Sequence, residues 1–128
     1  VSEFLKRIKD KKISIKNSKI LIMGLTFKEN CTDIRNSGIE SVIKKLNKLN
    51  CNIDLYDPWV DRAEIKKNYN IYPQKKLKKN TYEGVIIAVG HKKFKDLGIK
   101  AIKRLCKKNH VIYDLKYLFP KNQVDLRL

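Results

Sequence analysis

A chain of 128 residues with 42% hydrophobic content buries one ordinary core, since single domains most often run to roughly 100 to 150 residues. Its 30 Lys and Arg against 13 Asp and Glu leave a formal net charge of +17, so a polyanionic partner has to be weighed from the start. No apolar run approaches the ~18 residues of a membrane span, and three cysteines without a CxxC pair, Cys31, Cys51 and Cys106, suggest neither a disulfide framework nor a zinc site.

In chain order, Val1, Phe4, Leu5 and Ile8 form one stripe of a short helix, followed by the polar run from Lys9 to Asn17. Such a helix has little to pack against within its own segment. Residues 1–18 are therefore expected to be the end of a preceding central helix with its linker, and residues 19–128 the domain proper. The start has neither an initiator Met nor a secretory pattern, which suits a piece of a longer soluble protein in a reducing cytoplasm.

From Lys19 onward short apolar strands alternate with amphipathic helices, the pattern of βαβ units. Ile20 to Met23 reads as the first strand. Ser37 with Glu40 reads as a capping box, and the helix behind it carries Ile39, Val42, Ile43, Leu46 and Leu49 on one face. The alternating run Ile53 to Asp57 is a second strand stopped by Pro58. Asp61 and Glu64 open a shorter helix, Ile71 and Tyr72 can form a brief edge strand before Pro73, and the cluster Lys75 to Lys79 is an exposed connection. The continuously apolar, glycine-bounded run Gly84 to Gly90 is what a central parallel strand covered on both faces requires. A helix from Ile99 to Cys106 and a strand from Val111 to Tyr113 complete an α/β fold: a three-layer, Rossmann-like parallel sheet with helices on both faces.

In open α/β sheets ligands sit outside the carboxyl ends of the strands, where strand order reverses. The loop after the first strand has Gly24 but not the later glycines of a dinucleotide fingerprint. It offers Lys28, a mobile cation suited to phosphate, and Arg35, a planar fork suited to phosphate or carboxylate, with Asp33 two residues before it as an orienting group. The competing reading is a set of solvated charges, with Lys28 and Arg35 paired to Glu29 and Asp33 and contributing below about 1 kcal/mol.

The wording Gly24-Leu-Thr-Phe27-Lys28-Glu-Asn-Cys31-Thr-Asp33-Ile-Arg35-Asn-Ser37, with Tyr56-Asp57-Pro58, Val89-Gly-His91-Lys-Lys-Phe94 and Tyr113-Asp114-Leu-Lys116, resembles the C-terminal, UDP-binding domain of the UDP-glucose/GDP-mannose dehydrogenase family. It is most similar to the branch acting on UDP-N-acetylhexosamines. The resemblance implies that Phe27 and Lys28 contact the UDP-sugar substrate and that Arg35 reaches NAD held by a separate N-terminal domain. Glucose-specific members carry Asp-Gly-Arg after the last strand; here Asp114-Leu115-Lys116 keeps the charge and loses the fork, with Lys116 as a substrate contact. The implied whole enzyme oxidises the sugar C6 alcohol to a carboxylate with two NAD, through a thiohemiacetal and a thioester on a Cys of the central domain, and is a homo-oligomer. The catalytic Cys and the NAD-binding domain are expected outside these residues, so no catalytic residue is assigned and the domain alone is expected to be inert.

Three further residues invite chemistry. Cys31 lies in the key loop but has no histidine base near it in sequence. His91 directly follows the central strand, where it can support the site or anchor the loop before Phe94. Asp57 stands where receiver domains carry their phosphoacceptor, but the acidic pair such domains need after the first strand is replaced by Met23-Gly24-Leu25, so Asp57-Pro58 reads as a strand-ending turn. The alternative for the whole chain is a stand-alone basic module for nucleic acid or another polyanion. Against it, arginine occurs only as Arg7, Arg35, Arg62, Arg104 and Arg127, and lysine is scattered over nearly every segment, whereas nucleic-acid grooves favour arginine forks and stacked aromatics.

Overall fold

The computed structural model describes residues 2–25, 39–58 and 76–127. Lys19–Met23 (β1), Asn52–Tyr56 (β2), Tyr82–Ile87 (β3), Cys106–Asp114 (β4) and Leu126–Arg127 (β5) pair in parallel in the order β2-β1-β3-β4-β5. Among the described residues the helices are Ser2–Asp10 (α1), Ile39–Lys48 (α2), Lys92–Leu97 (α3) and Ile99–Leu105 (α4), with a 3-10 turn at Lys121–Gln123.

Strand side chains alternate between two apolar layers, which is why β1 and β3 read as unbroken apolar runs. On one face Ile20, Ile22, Ile86, Val111 and Tyr113 pack with Phe4 and Ile8 of α1 and with Ile39, Ile43 and Leu46 of α2. On the other, Leu21, Met23, Val85, Ile87 and Ile112 pack with Phe94 of α3 and with Ile102 and Leu105 of α4. The result is the expected three-layer sheet with helices on both faces.

The main partners of α1 come from β1, β3 and β4, on the face of the sheet that it covers. Phe4 stacks on Tyr113, ring centroids 6.3 Å apart and planes 19° from parallel. It sits in a notch at Gly84, where a Cβ would stand 2.5 Å from Phe4 Cζ and 2.8 Å from Ile20 Cδ1. The polar run behind α1 is also tied down: Lys11 Nζ donates to Asp125 Oδ1 at 2.7 Å and to the His110 carbonyl, and Asn52 N donates to the Ser18 carbonyl at 2.8 Å.

Helix α2 stops one residue short of its expected apolar stripe. Asn50, at φ 60°, takes the left-handed position, with Asn50 N donating to the Asn47 carbonyl (3.0 Å) and Cys51 N to the Leu46 carbonyl (3.2 Å). This paired closure turns the chain into β2 and buries Cys51 beside Leu46. Leu49 consequently lies beyond the helix, 36% exposed.

Among the described residues α3, β5 and the 3-10 turn were not expected, and β4 begins at Cys106, which the helical reading had placed in α4. The pairing of β3 with β4 shifts register, Tyr82 facing Cys106 but Gly84 facing Val111. The exposed residues of the shift are closed by His110 Nδ1, 2.8 Å from the Lys107 carbonyl. The capping box at Ser37 and Glu40, the helix opened by Asp61 and Glu64, and the strand at Ile71 and Tyr72 lie outside the described residues. Among the described residues no helix is long and apolar enough to cross a membrane.

Candidate functional site

All five strands run parallel, so their carboxyl ends share one edge, and strand order reverses between β1 and β3. There the chain leaves β1 through Gly24, whose N–H donates to the Tyr56 carbonyl at 2.9 Å. Gly24 has φ +101°, and a Cβ on it would lie 2.7 Å from Val89 Cβ in the exit of β3. Close approach of the two strand exits therefore requires glycine here.

Beyond Gly24, Leu25 N donates to Asp57 Oδ2 at 2.7 Å, and His91 Nε2 lies 3.3 Å from the same oxygen. The Asp57 and His91 side chains are both fully buried. The imidazole meets the Phe94 ring edge-on at 5.3 Å, and Phe94 contacts Tyr56 at 6.1 Å. The His91 carbonyl accepts from Phe94 N (3.0 Å) and Lys95 N (3.3 Å), so this residue also starts α3. These contacts are the ones its anchoring reading calls for. β2 ends at Tyr56, one residue before the expected Asp57, and Asp57 is the shared acceptor of the strand exits. Each residue was visible at a strand end; their pairing was not, because it depends on the strand order.

At the end of β4, buried Asp114 accepts from Lys116 N (3.1 Å) through Oδ1 and from Phe119 N (2.9 Å) through Oδ2. The carboxylate thus shapes the turn that presents Lys116, which is exposed. Next to it Tyr117, at φ 52° and 56% exposed, carries the Arg127 guanidinium 4.3 Å above its ring. Arg127 had no sequence cue, since its strand is two residues long.

His91 and Lys116 are therefore on the predicted edge. Phe27, Lys28, Asp33 and Arg35, like Cys31, lie outside the described residues. Cys51 and Cys106 are free and buried. Burial first, then Asp125, pushes the Cys106 thiol up to about 12 against the opposing effect of Lys11, which makes it unreactive. Among the described residues no group of His, Cys, Asp and Glu can hold a metal. A shallow cleft lined by Glu3, Lys6, Arg7, Asp10 and Leu126 mixes both signs of charge and does not make an anion site.

Residues 21–121 match the model of the UDP-glucose/GDP-mannose dehydrogenase family, UDP binding domain. The chain belongs to that family. The matched range contains the strand exits from Gly24 to Lys116. The chain is 45% identical over 126 residues to a UDP-N-acetyl-D-glucosamine 6-dehydrogenase of Salmonella typhi, covering 98% of this chain and 30% of that protein. It is 40% identical over 128 residues to the enzyme of the same name from Pseudomonas aeruginosa, covering 100% and 30%. A crystal structure of an NDP-N-acetyl-D-galactosaminuronic acid dehydrogenase from Methanosarcina mazei Go1 superposes with a TM-score of 0.80 at 20% identity, over 97% of this chain and 26% of that one. The chain thus spans about 30% of the length of the two curated relatives.

Proposed function

We propose that residues 19–128 bind the UDP half of a UDP-N-acetylhexosamine within an NAD-dependent 6-dehydrogenase, and that residues 1–18 end the helix and linker of its central domain. The family match over residues 21–121 carries this reading, and the two relatives named UDP-N-acetyl-D-glucosamine 6-dehydrogenase favour the N-acetylhexosamine branch. The sheet supports it physically, because a crevice at the reversal of strand order is where a nucleotide finds the ends of parallel strands.

Phe27 and Lys28 contact the UDP-sugar, Lys116 adds a cation at the β4 end of the same edge, and Arg35, oriented by Asp33, reaches toward NAD. The chain itself does not fit NAD. Gly24 is accounted for by the approach of Val89 at 2.7 Å, and Leu25-Thr26-Phe27 follow where a dinucleotide fold places further glycines. NAD therefore belongs to another domain of a cytoplasmic, homo-oligomeric enzyme. The whole reaction converts a primary alcohol and water to a carboxylate, two hydrides leaving to two NAD. The present domain contributes charge that offsets the pyrophosphate, and together with the other domains it holds the sugar in place for reaction at C6.

The test is a pair of substitutions in the full-length enzyme. Lys28→Ala should weaken UDP-sugar binding and Arg35→Ala should raise the NAD requirement, each by about 1.5 to 3 kcal/mol, the size of a lost charge-assisted contact. Small, equal effects of both changes on both ligands would identify the two cations as solvated surface charges.

A further inference from the structure

The Asp57 carboxylate is expensive to bury, and a buried ionic group is seldom the cheapest route to stability. Its position explains its presence. Gly24 N makes the last strand-like bond of β1, to the Tyr56 carbonyl. The next donor, Leu25 N, has passed the end of the neighbouring strand and is met by Asp57 Oδ2 at 2.7 Å instead. The same oxygen faces His91 Nε2 at 3.3 Å, and His91 is held by the edge of Phe94 while its carbonyl starts α3. One oxygen from the end of β2 thus ties the exit of β1 to the exit of β3, the two strands that border the reversal of strand order.

We propose that Asp57 and His91 are positioning residues for nucleoside diphosphate binding: they fix the direction in which the chain leaves β1 and hold it against the start of α3. The inference rests on the reading of the loop after β1 as the UDP-sugar loop, because Phe27 and Lys28 follow Leu25 by two and three residues. Leu25 is the root of that loop, and its N–H is the group that Asp57 holds. Neither positioning side chain has to touch the nucleotide.

The experiment uses full-length enzyme, with UDP affinity by calorimetry, kcat and KM for the UDP-sugar, and thermal unfolding. Asp57→Ala removes the shared acceptor and should weaken UDP by about tenfold or more, the effect of one lost charge-assisted bond. Asp57→Asn can place its amide oxygen where Oδ2 stands, which accepts from Leu25 N and from a protonated His91 Nε2 alike. It should recover most of the affinity. His91→Phe retains a ring against Phe94 but no donor, and should raise Kd and KM by about threefold to tenfold while kcat changes less.

A purely structural role predicts a different pattern: lower thermal midpoints in all three variants with UDP affinity unmoved at temperatures where they remain folded. That result overturns the proposal. If Asp57→Ala does not fold, folded His91→Phe enzyme with wild-type UDP affinity overturns it equally. Wild-type enzyme that binds no UDP overturns the substrate reading and this inference together, whereas UDP-binding wild type with unmoved variants overturns this inference alone.

Discussion

Gly24 carries two constraints at once, a φ of +101° and a would-be Cβ 2.7 Å from Val89 Cβ. Because the obstructing atom is a Cβ rather than a flexible side-chain end, the neighbour can move only with its backbone. Gly24→Ala should cost about 1 to 3 kcal/mol, read as a lower urea midpoint at unchanged slope; a shift below about 0.5 kcal/mol would show that the strand exits separate freely. Cys106 supports a pH prediction. Burial and Asp125 raise its thiol from about 9 up to about 12, so the folded state holds this proton to higher pH than the unfolded chain. Stability contributed in this way is complete below the ordinary thiol range and is lost as pH rises toward 12. Tyr82, raised chiefly by burial and then by its bond to Asp54, and Tyr113, raised chiefly by burial and then by Glu3, act in the same direction. Cys106→Ala should flatten the decline measured by chemical denaturation between about pH 9 and 10.5; an unchanged slope would show that this thiol titrates normally. At this scale the sequence showed the residue types well, Gly24, Asp57, His91 and Lys116 each standing at a strand end. It did not show that Leu25 N and His91 Nε2 meet at one Asp57 oxygen, because that requires β2 and β3 to flank β1.

The element with the most to explain is α1. Its stripe of Phe4, Leu5 and Ile8 was legible, but its docking site was not, since that site is the missing side chain of Gly84 on a strand about eighty residues away. Phe4 fills this notch and stacks on Tyr113, so Phe4→Ala should cost about 3 to 5 kcal/mol, as large aromatic truncations in a core do. Gly84→Ala places a methyl 2.5 Å from Phe4 Cζ and should cost about 1 to 3 kcal/mol by overpacking. The two are coupled. In the Phe4→Ala background the added methyl has room, so the Gly84→Ala penalty should shrink by at least about 0.5 kcal/mol in a double-mutant cycle. Strictly additive values would mean that α1 and β3 do not share this contact. The strands β1 and β3 were legible because sheets covered on both faces need unbroken apolar runs. The helix Lys92–Leu97 was not, because six residues bury only Phe94 and show no period, and β5 is too short to carry a pattern.

For the molecule as a whole, the charge of +17 and the strand order make opposing suggestions about the ligand. Dispersed lysine attracts any polyanion through many weak phosphate contacts, whereas a crevice at the reversal of a parallel sheet is a single site for a compact anion. Salt separates them. A single-stranded oligonucleotide held by several phosphates should lose at least about tenfold in affinity between roughly 50 and 200 mM salt. UDP, with only its pyrophosphate to exchange for counterions and with base and ribose contacts that salt does not screen, should lose less over the same interval. UDP bound to the chain alone should nevertheless be weak, because the interdomain contacts that complete its site are expected elsewhere in the enzyme and their binding energy is absent. Fluorescence or calorimetric titrations of the chain with both ligands, run at the two salt concentrations, distinguish the cases. UDP that survives physiological salt and is not displaced by oligonucleotide supports the crevice. An oligonucleotide that still binds at about 150 mM salt and competes UDP away would mean that the basic surface, not the sheet edge, selects the ligand.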